Sequence, residues 1–222
     1  MIYPVYVKNY PAPDFNKKEI LRYSGVKEDI SEINALIDEC IKELDGKLNY
    51  RVCYSEYPVK ILGDDVDLTF TSVRSKDLAK NLKNCNDFIL FAASVGIGID
   101  RLIAKYNALS PTKALIFQAI GAERIESLCD LFNNEIKEKY KTVKPRFSAG
   151  YGDLPIEIQK DIFTALNCSK NIGVILNESL LMSPSKSVTA IIGVAKDSDS
   201  ANEKVCAACK KPDCEFRREN EN

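Results

Sequence analysis

The sequence of 222 residues contains no histidine. Imidazole is the side chain that most readily exchanges protons near neutral pH, so its absence excludes serine-type triads, imidazole general bases and His-ligated metal sites. Long apolar runs are missing as well. None approaches the roughly 20 residues a bilayer span requires, and positions 1–10 carry neither a long apolar stretch nor a signal cleavage pattern. The expectation is a cytoplasmic chain without a membrane partner. An excess of charge is also absent, with 31 basic against 32 acidic side chains, so the electrostatic footprint of a nucleic-acid binder is lacking.

What is present suits one core: hydrophobic residues make up 45% and charged residues 28% of the chain. Of the 8 cysteines, Cys40, Cys53, Cys85, Cys129 and Cys168 sit in apolar segments, where a free thiol behaves as a small hydrophobe. Cys206, Cys209 and Cys214 crowd into a polar tail and form a separate group.

Asn16 and Glu19 have capping-box spacing and Gly25 stands where a helix would end, predicting a helix over 17–24. Apolar residues at helical spacing from Ile30 to Leu44 predict an amphipathic helix that stops before Gly46. Alternation predicts strands over 49–61 and 67–72, with a helix over 75–82 and a buried strand over 87–93. The VGIGID stretch that follows lacks the third glycine of a dinucleotide fingerprint, since Arg101 occupies it, and reads as a tight strand-to-helix turn. A long helix is expected over 111–140, with a break near Gly121, then a proline-started helix over 155–166 and strands over 172–177 and 187–194. Without a regular βαβ rhythm, the class expected is α+β: a single domain over 1–197 with a mixed, largely antiparallel sheet and flanking helices, followed by a cysteine-containing tail over 198–222.

Between the last two helices lies Arg146-Phe-Ser-Ala149-Gly150-Tyr151-Gly-Asp-Leu-Pro155. An arginine fork suits a carboxylate, a glycine lets main chain approach a ligand, and a tyrosine offers a ring face and a hydroxyl. A ligand with a carboxylate at one end and a heteroaromatic base at the other would use all three. About thirty residues later comes Met182-Ser-Pro184-Ser-Lys-Ser187-Val188.

The pair of motifs resembles the activation domain of B12-dependent methionine synthase, with its Arg-x-x-x-Gly-Tyr loop and its Met-x-Pro-x-x-Ser-Val strand entry. The resemblance implies an S-adenosylmethionine (AdoMet) site with Arg146 on the methionyl carboxylate and Ala149, Gly150 and Tyr151 as the adjacent wall. It implies a role in reductive methylation of cob(II)alamin. The cobalamin would be presented by a corrinoid methyltransferase or a methionine synthase lacking its own activation domain, and the electron would come from flavodoxin or ferredoxin. A non-catalytic AdoMet-binding or docking module is the alternative. Methyl transfer from a sulfonium also fits a chain without histidine, because neither leaving group nor acceptor needs a proton shuttle. The sequence departs from the family in having no tyrosine after Tyr151 and no corrinoid-binding signature, and the family's N-terminal aspartate has no assigned counterpart, Asp14 being a candidate. The tail thiols Cys206, Cys209 and Cys214 match one arm and a third ligand of a zinc or iron–sulfur site, with redox-active thiols or an inert tail as the other readings.

Overall fold

In the computed structural model, residues 3–26, 31–140 and 142–195 are described. In chain order the elements are β1 (Tyr6–Asn9), α1 (Lys17–Ser24), α2 (Ser31–Glu43), β2 (Arg51–Pro58), β3 (Lys60–Leu62), β4 (Asp65–Asp67), β5 (Ser72–Arg74), α3 (Lys76–Asn81) and β6 (Cys85–Ser94). There follow α4 (Gly98–Leu109), α5 (Pro111–Lys139), α6 (Gln159–Leu166), α7 (Cys168–Ile172), β7 (Ile175–Leu176), β8 (Met182–Ser183) and β9 (Ser187–Ala195). Strands β1, β2, β6 and β9 form, in that order, one fully antiparallel sheet. The expected α+β class with an antiparallel sheet is what the chain adopts.

Side chains alternate across that sheet. Val52, Ile89, Phe91, Ala93, Ala190 and Ile192 enter one core, closed by α1, α2, α4 and α5. Cys53, Tyr57, Phe88, Leu90, Ala92 and Ile191 enter a second core, under α3, α6, α7 and the small β3–β5 sheet. Burial on both faces explains why β6 reads as a continuous apolar run rather than an alternating one. Each fully buried Phe or Ile contributes about 1.5–3 kcal/mol, and Phe91 and Phe132, with ring centroids 4.8 Å apart, fasten α5 to the centre of the sheet.

Local signals placed several helix ends. The Asn16 side chain accepts from the Glu19 amide at 3.3 Å and Gly25 takes φ +73° at the end of α1. Ser75 caps α3 by accepting from the Leu78 amide at 3.0 Å. Four expectations need correction. The strand expected over 49–61 is two: β2 ends at Pro58, which has no amide to continue a ladder, and β3 belongs to the small sheet. The stretch expected as a strand over 67–72 is mostly a turn, closed by Asp67 Oδ1 accepting from the Thr69 amide at 2.8 Å, with Thr69 at φ +71°. The long helix does not break at Gly121; an added Cβ there would stand 2.8 Å from Lys186 Cε and 3.1 Å from Ile99 Cγ1, so glycine admits a neighbour rather than a kink. Over 172–177 only Ile175–Leu176 is strand, because α7 runs to Ile172 and Gly173 ends it at φ +71°. The edge strand β1 had no sequence signal.

Candidate functional site

After α5 the chain runs back along the outer edge of β9. The Ala195 amide donates to Thr142, Lys144 to Gly193, and Phe147 and Ile191 exchange two bonds of 2.9 and 2.8 Å. This cover ends at Ile191; ahead of it the loop turns away toward α3. There the Tyr151 amide donates to the Ser148 carbonyl at 3.1 Å, and Gly150 and Leu154 bond at 3.0 Å. Gly150 adopts φ +82° and Gly152 φ +55°; a Cβ on Gly152 would come within 2.3 Å of Asp77 Oδ2, so the second glycine is required twice over. Asp153 then binds the N-terminus of α3 through the amides of Lys76 (2.8 Å) and Asp77 (3.2 Å) and the Ser75 hydroxyl. The Ser75 hydrogen bond, ahead of these amides, holds the Asp153 carboxyl below its ordinary pKa. The loop is therefore pinned at both ends, with Tyr151 at its tip, 65% exposed, and Ala149 buried.

Register decides where the arginine goes. Phe147 packs into the second core, so Arg146, its neighbour in extended chain, faces the other side, toward α5. There Nη2 donates to Glu126 Oε2 and to Asp130 Oδ1, each at 3.1 Å. Arg146 is 20% exposed and its partners 33% and 44%, so the cluster opens to solvent. Burial pulls the arginine pKa down, but Cys129, Glu126 and Asp130 outweigh it and the net shift is upward. Beneath them burial pushes the Cys129 thiol up to about 12. Neither acidic residue is among those singled out from the sequence. A signal was available: two carboxylates at i, i+4 repel on a helix, and a cation between them removes the cost.

The second motif lies beside the glycine turn. Ser187 and Ser94 face each other across β6 and β9, their hydroxyls 2.9 Å apart, and Ser187 also donates to the Pro184 carbonyl at 2.8 Å. The Ser185 amide donates to Asp100 Oδ1 at 3.1 Å in the first turn of α4. A Cβ on Gly98 would stand 2.0 Å from the Lys47 carbonyl oxygen, which explains the second glycine of VGIGID without a nucleotide. The start of β9 is thus packed against the first turn of α4 and, through Lys186, against the Gly121 region of α5.

The N-terminal segment reaches α5 one turn away from this cluster. Arg124, fully buried, donates to the carbonyls of Pro13 (2.5 Å) and Asp14 (2.6 Å) and to both oxygens of Glu123, and stacks over Phe15 at 3.9 Å. Asp14 is thereby held through its main chain while its side chain stays exposed. Two shallow cavities lie elsewhere: one of about 600 Å³ on β3–β5, and one of about 610 Å³ between Tyr10, Phe15 and the end of α2. Among the described residues no group of three or more His, Cys, Asp or Glu is placed to hold a metal, and Cys206, Cys209 and Cys214 lie outside them. No described helix is long and apolar enough to cross a membrane.

An antiparallel sheet between two helical layers, with a glycine-containing arginine loop at its edge, defines an α+β class rather than a dinucleotide fold. The family described as vitamin B12 dependent methionine synthase, activation domain, matches residues 74–203, and the chain belongs to it. A solved structure described as the MetH reactivation domain bound to AdoHcy is similar in fold: TM-score 0.63, 16% identity, covering 89% of this chain and 80% of that one. No curated protein matches the chain.

Proposed function

We propose that the chain binds AdoMet at the Arg146 loop and supports reductive methylation of cob(II)alamin held by a separate B12-dependent methionine synthase or related corrinoid methyltransferase. The observation that carries this reading is the Arg146–Tyr151 loop itself, built rigidly at the sheet edge in a chain of the activation-domain family. Residues 1–197 act in it as one unit.

AdoMet supplies, when bound, an electrophilic methyl group on a sulfonium; one external electron and that methyl convert cob(II)alamin to methylcobalamin, and AdoHcy leaves. The residues present suit the ligand. The planar fork of Arg146, steadied at Nη2 by Glu126 and Asp130, suits a carboxylate. Gly150 brings main chain to the surface at φ +82°, and the exposed Tyr151 ring provides a face for a heteroaromatic base. No side chain is asked to move a proton. The contribution is to hold the sulfonium methyl toward the incoming corrinoid, which is catalysis by proximity and orientation. A low-potential donor such as flavodoxin or ferredoxin supplies the electron, in the cytoplasm. The tail thiols Cys206, Cys209 and Cys214 belong to the same proposal as ligands of zinc or an iron–sulfur cluster; anaerobic purification with metal analysis tests them, and a metal-free, colourless chain removes that element.

The test of the whole is to mix the chain with a cob(II) methionine synthase core, AdoMet and reduced flavodoxin, and to follow the methylcobalamin spectrum. Formation of methylcobalamin that requires the chain and is lost with Arg146→Ala supports the proposal. AdoMet binding without methylcobalamin would instead identify a binding or docking module.

A further inference from the structure

The second core brings together two thiols from distant parts of the chain. Val52 enters the first core, so Arg51 and Cys53, alternating with it, share the opposite face of β2. Asn171 and Cys168, three positions apart, are neighbours on the surface of α7. Arg51 Nη2 donates to the Asn171 carbonyl at 2.8 Å, and the next rung of the same contact sets Cys168 against Cys53, both at 0% exposure. Their sulfurs share a hydrogen bond, donated by the Cys168 thiol. The remaining described thiols are placed differently. Cys40 and Cys129 lie in the first core, across the sheet. Cys85 belongs to the second core, but β6 carries it seven positions from Ala92, the residue opposite Cys53, which is roughly 20 Å along a strand. We propose that Cys53 and Cys168 form a thiol redox site, which peroxide converts to a disulfide that fastens α7 to the central sheet. The inference does not use the AdoMet reading.

The surroundings give the two sulfurs different roles. The hydrogen bond from Cys168 holds the Cys53 thiol below its ordinary pKa despite burial, with the Ala92 and Cys53 amides and the Arg51 guanidinium acting in the same direction, while Cys168 is held above its own. Cys53 therefore ionises first and is the nucleophile, and Cys168 is the resolving thiol. The Cys53 sulfur attacks one peroxide oxygen, the O–O bond breaks, and the departing hydroxide takes up the proton that Cys53 released, giving water. The Cys168 sulfur then attacks the Cys53 sulfenic sulfur, the S–S bond forms, the S–O bond breaks, and the second water leaves with the Cys168 proton. Two thiols have lost two electrons and one peroxide has become two waters. Sulfurs that already share a hydrogen bond need to close by only about 2 Å to reach bonding distance. The reagent gains access through α7, which has 5 residues, starts from Asn167 at φ +46°, ends at Gly173 at φ +71° and exposes Ser169 and Lys170. A helix this short is held by its tertiary contacts, so its local opening uncovers the pair while the sheet stays folded.

The experiment treats the reduced full-length chain carrying Cys206→Ser/Cys209→Ser/Cys214→Ser, in which only the five buried thiols remain, with hydrogen peroxide under native conditions. Thiols are counted after denaturation, and linked peptides are identified by mass spectrometry. The expected result is a fall from five titratable thiols to three, with a single Cys53–Cys168 linked pair lighter by two hydrogens and restored by dithiothreitol. The midpoint of thermal unfolding should rise with it, because the bond closes a loop of roughly a hundred residues. Adding Cys168→Ser should abolish the linked pair and leave a sulfenic acid on Cys53 that dimedone traps; if that variant does not fold, the parent chain alone decides. Five thiols persisting at a peroxide concentration that oxidises the urea-unfolded chain would overturn the inference, as would a bond between any other pair or irreversible oxidation of Cys53 without a bond. None of these outcomes bears on AdoMet binding, which calorimetry on the reduced chain tests separately.

Discussion

Replacing Arg124 by methionine removes the centre of the most deeply buried polar cluster in the described structure. Arg124 is 0% and Glu123 2% exposed. The guanidinium donates to Glu123 Oε1 and Oε2, both at 2.6 Å, and satisfies the Pro13 and Asp14 carbonyls. Glu123 Oε1 also accepts from Ser127 Oγ at 2.7 Å and from the Asn16 amide at 3.2 Å. Methionine fills much of the volume yet leaves a buried carboxylate without a counter-charge and two carbonyls without donors. Breaking one side of such a pair costs about 3–5 kcal/mol, a large share of the roughly 5–15 kcal/mol that holds a domain folded. The assay is urea denaturation followed by far-ultraviolet circular dichroism at pH 5 and pH 8. A buried, unpaired carboxylate takes up a proton in preference to staying charged. Because the folded variant then binds more protons than its unfolded chain, its stability falls as pH rises, and the deficit against wild type is expected to be larger at pH 8. Adding Glu123→Gln to the variant should recover part of the loss. A deficit under about 1 kcal/mol, the worth of an exposed pair, with no dependence on pH, would refute the reasoning.

Arg146→Ala should weaken AdoMet binding roughly 50-fold, as expected for a charge-assisted bidentate contact, without lowering the midpoint of unfolding by much; calorimetry and a thermal melt check both. Gly98→Ala puts a Cβ 2.0 Å from the Lys47 carbonyl and should lower the melting temperature by several degrees, on the order of 2 kcal/mol of strain and displaced backbone, whereas Gly63→Ala, which meets nothing within 4 Å, should cost less. The Glu135 carboxyl is raised by burial but lowered more by Lys8 and Tyr10, and Glu56, where burial is again outweighed by Lys139 and Tyr140, is likewise depressed. Groups of this kind contribute stability above their unfolded pKa that is lost as pH falls through the folded one, so the wild-type melting temperature should drop below about pH 4.5, and Glu135→Gln should reduce that drop. Thiol titration of a Cys206→Ser/Cys209→Ser/Cys214→Ser variant should release no fast thiol when folded and five after denaturation, because Cys40, Cys53, Cys85, Cys129 and Cys168 are all buried and free.

Much of this molecule is written in short-range signals. The Asn16 and Ser75 caps, the αL glycine at 25 and the apolar spacing of α2 and α5 act within a few residues, so the sequence alone set those helices and the two-sided burial of β6. It also set the loop from Arg146 to Tyr151, since glycines and an arginine in that order are legible wherever the chain places them. Tertiary structure decided the rest. Whether 49–61 was one strand or two depended on which sheet would receive Lys60–Leu62, and whether Gly121 broke a helix depended on Lys186, sixty-five positions away. The partners of Arg146 depended on a strand edge that turns its side chain toward α5, where two carboxylates unfavourable on an isolated helix become a holder for a cation. Local propensity acts through neighbours in the chain; a binding site is made by neighbours in space, and those exist only after the sheet has brought them together.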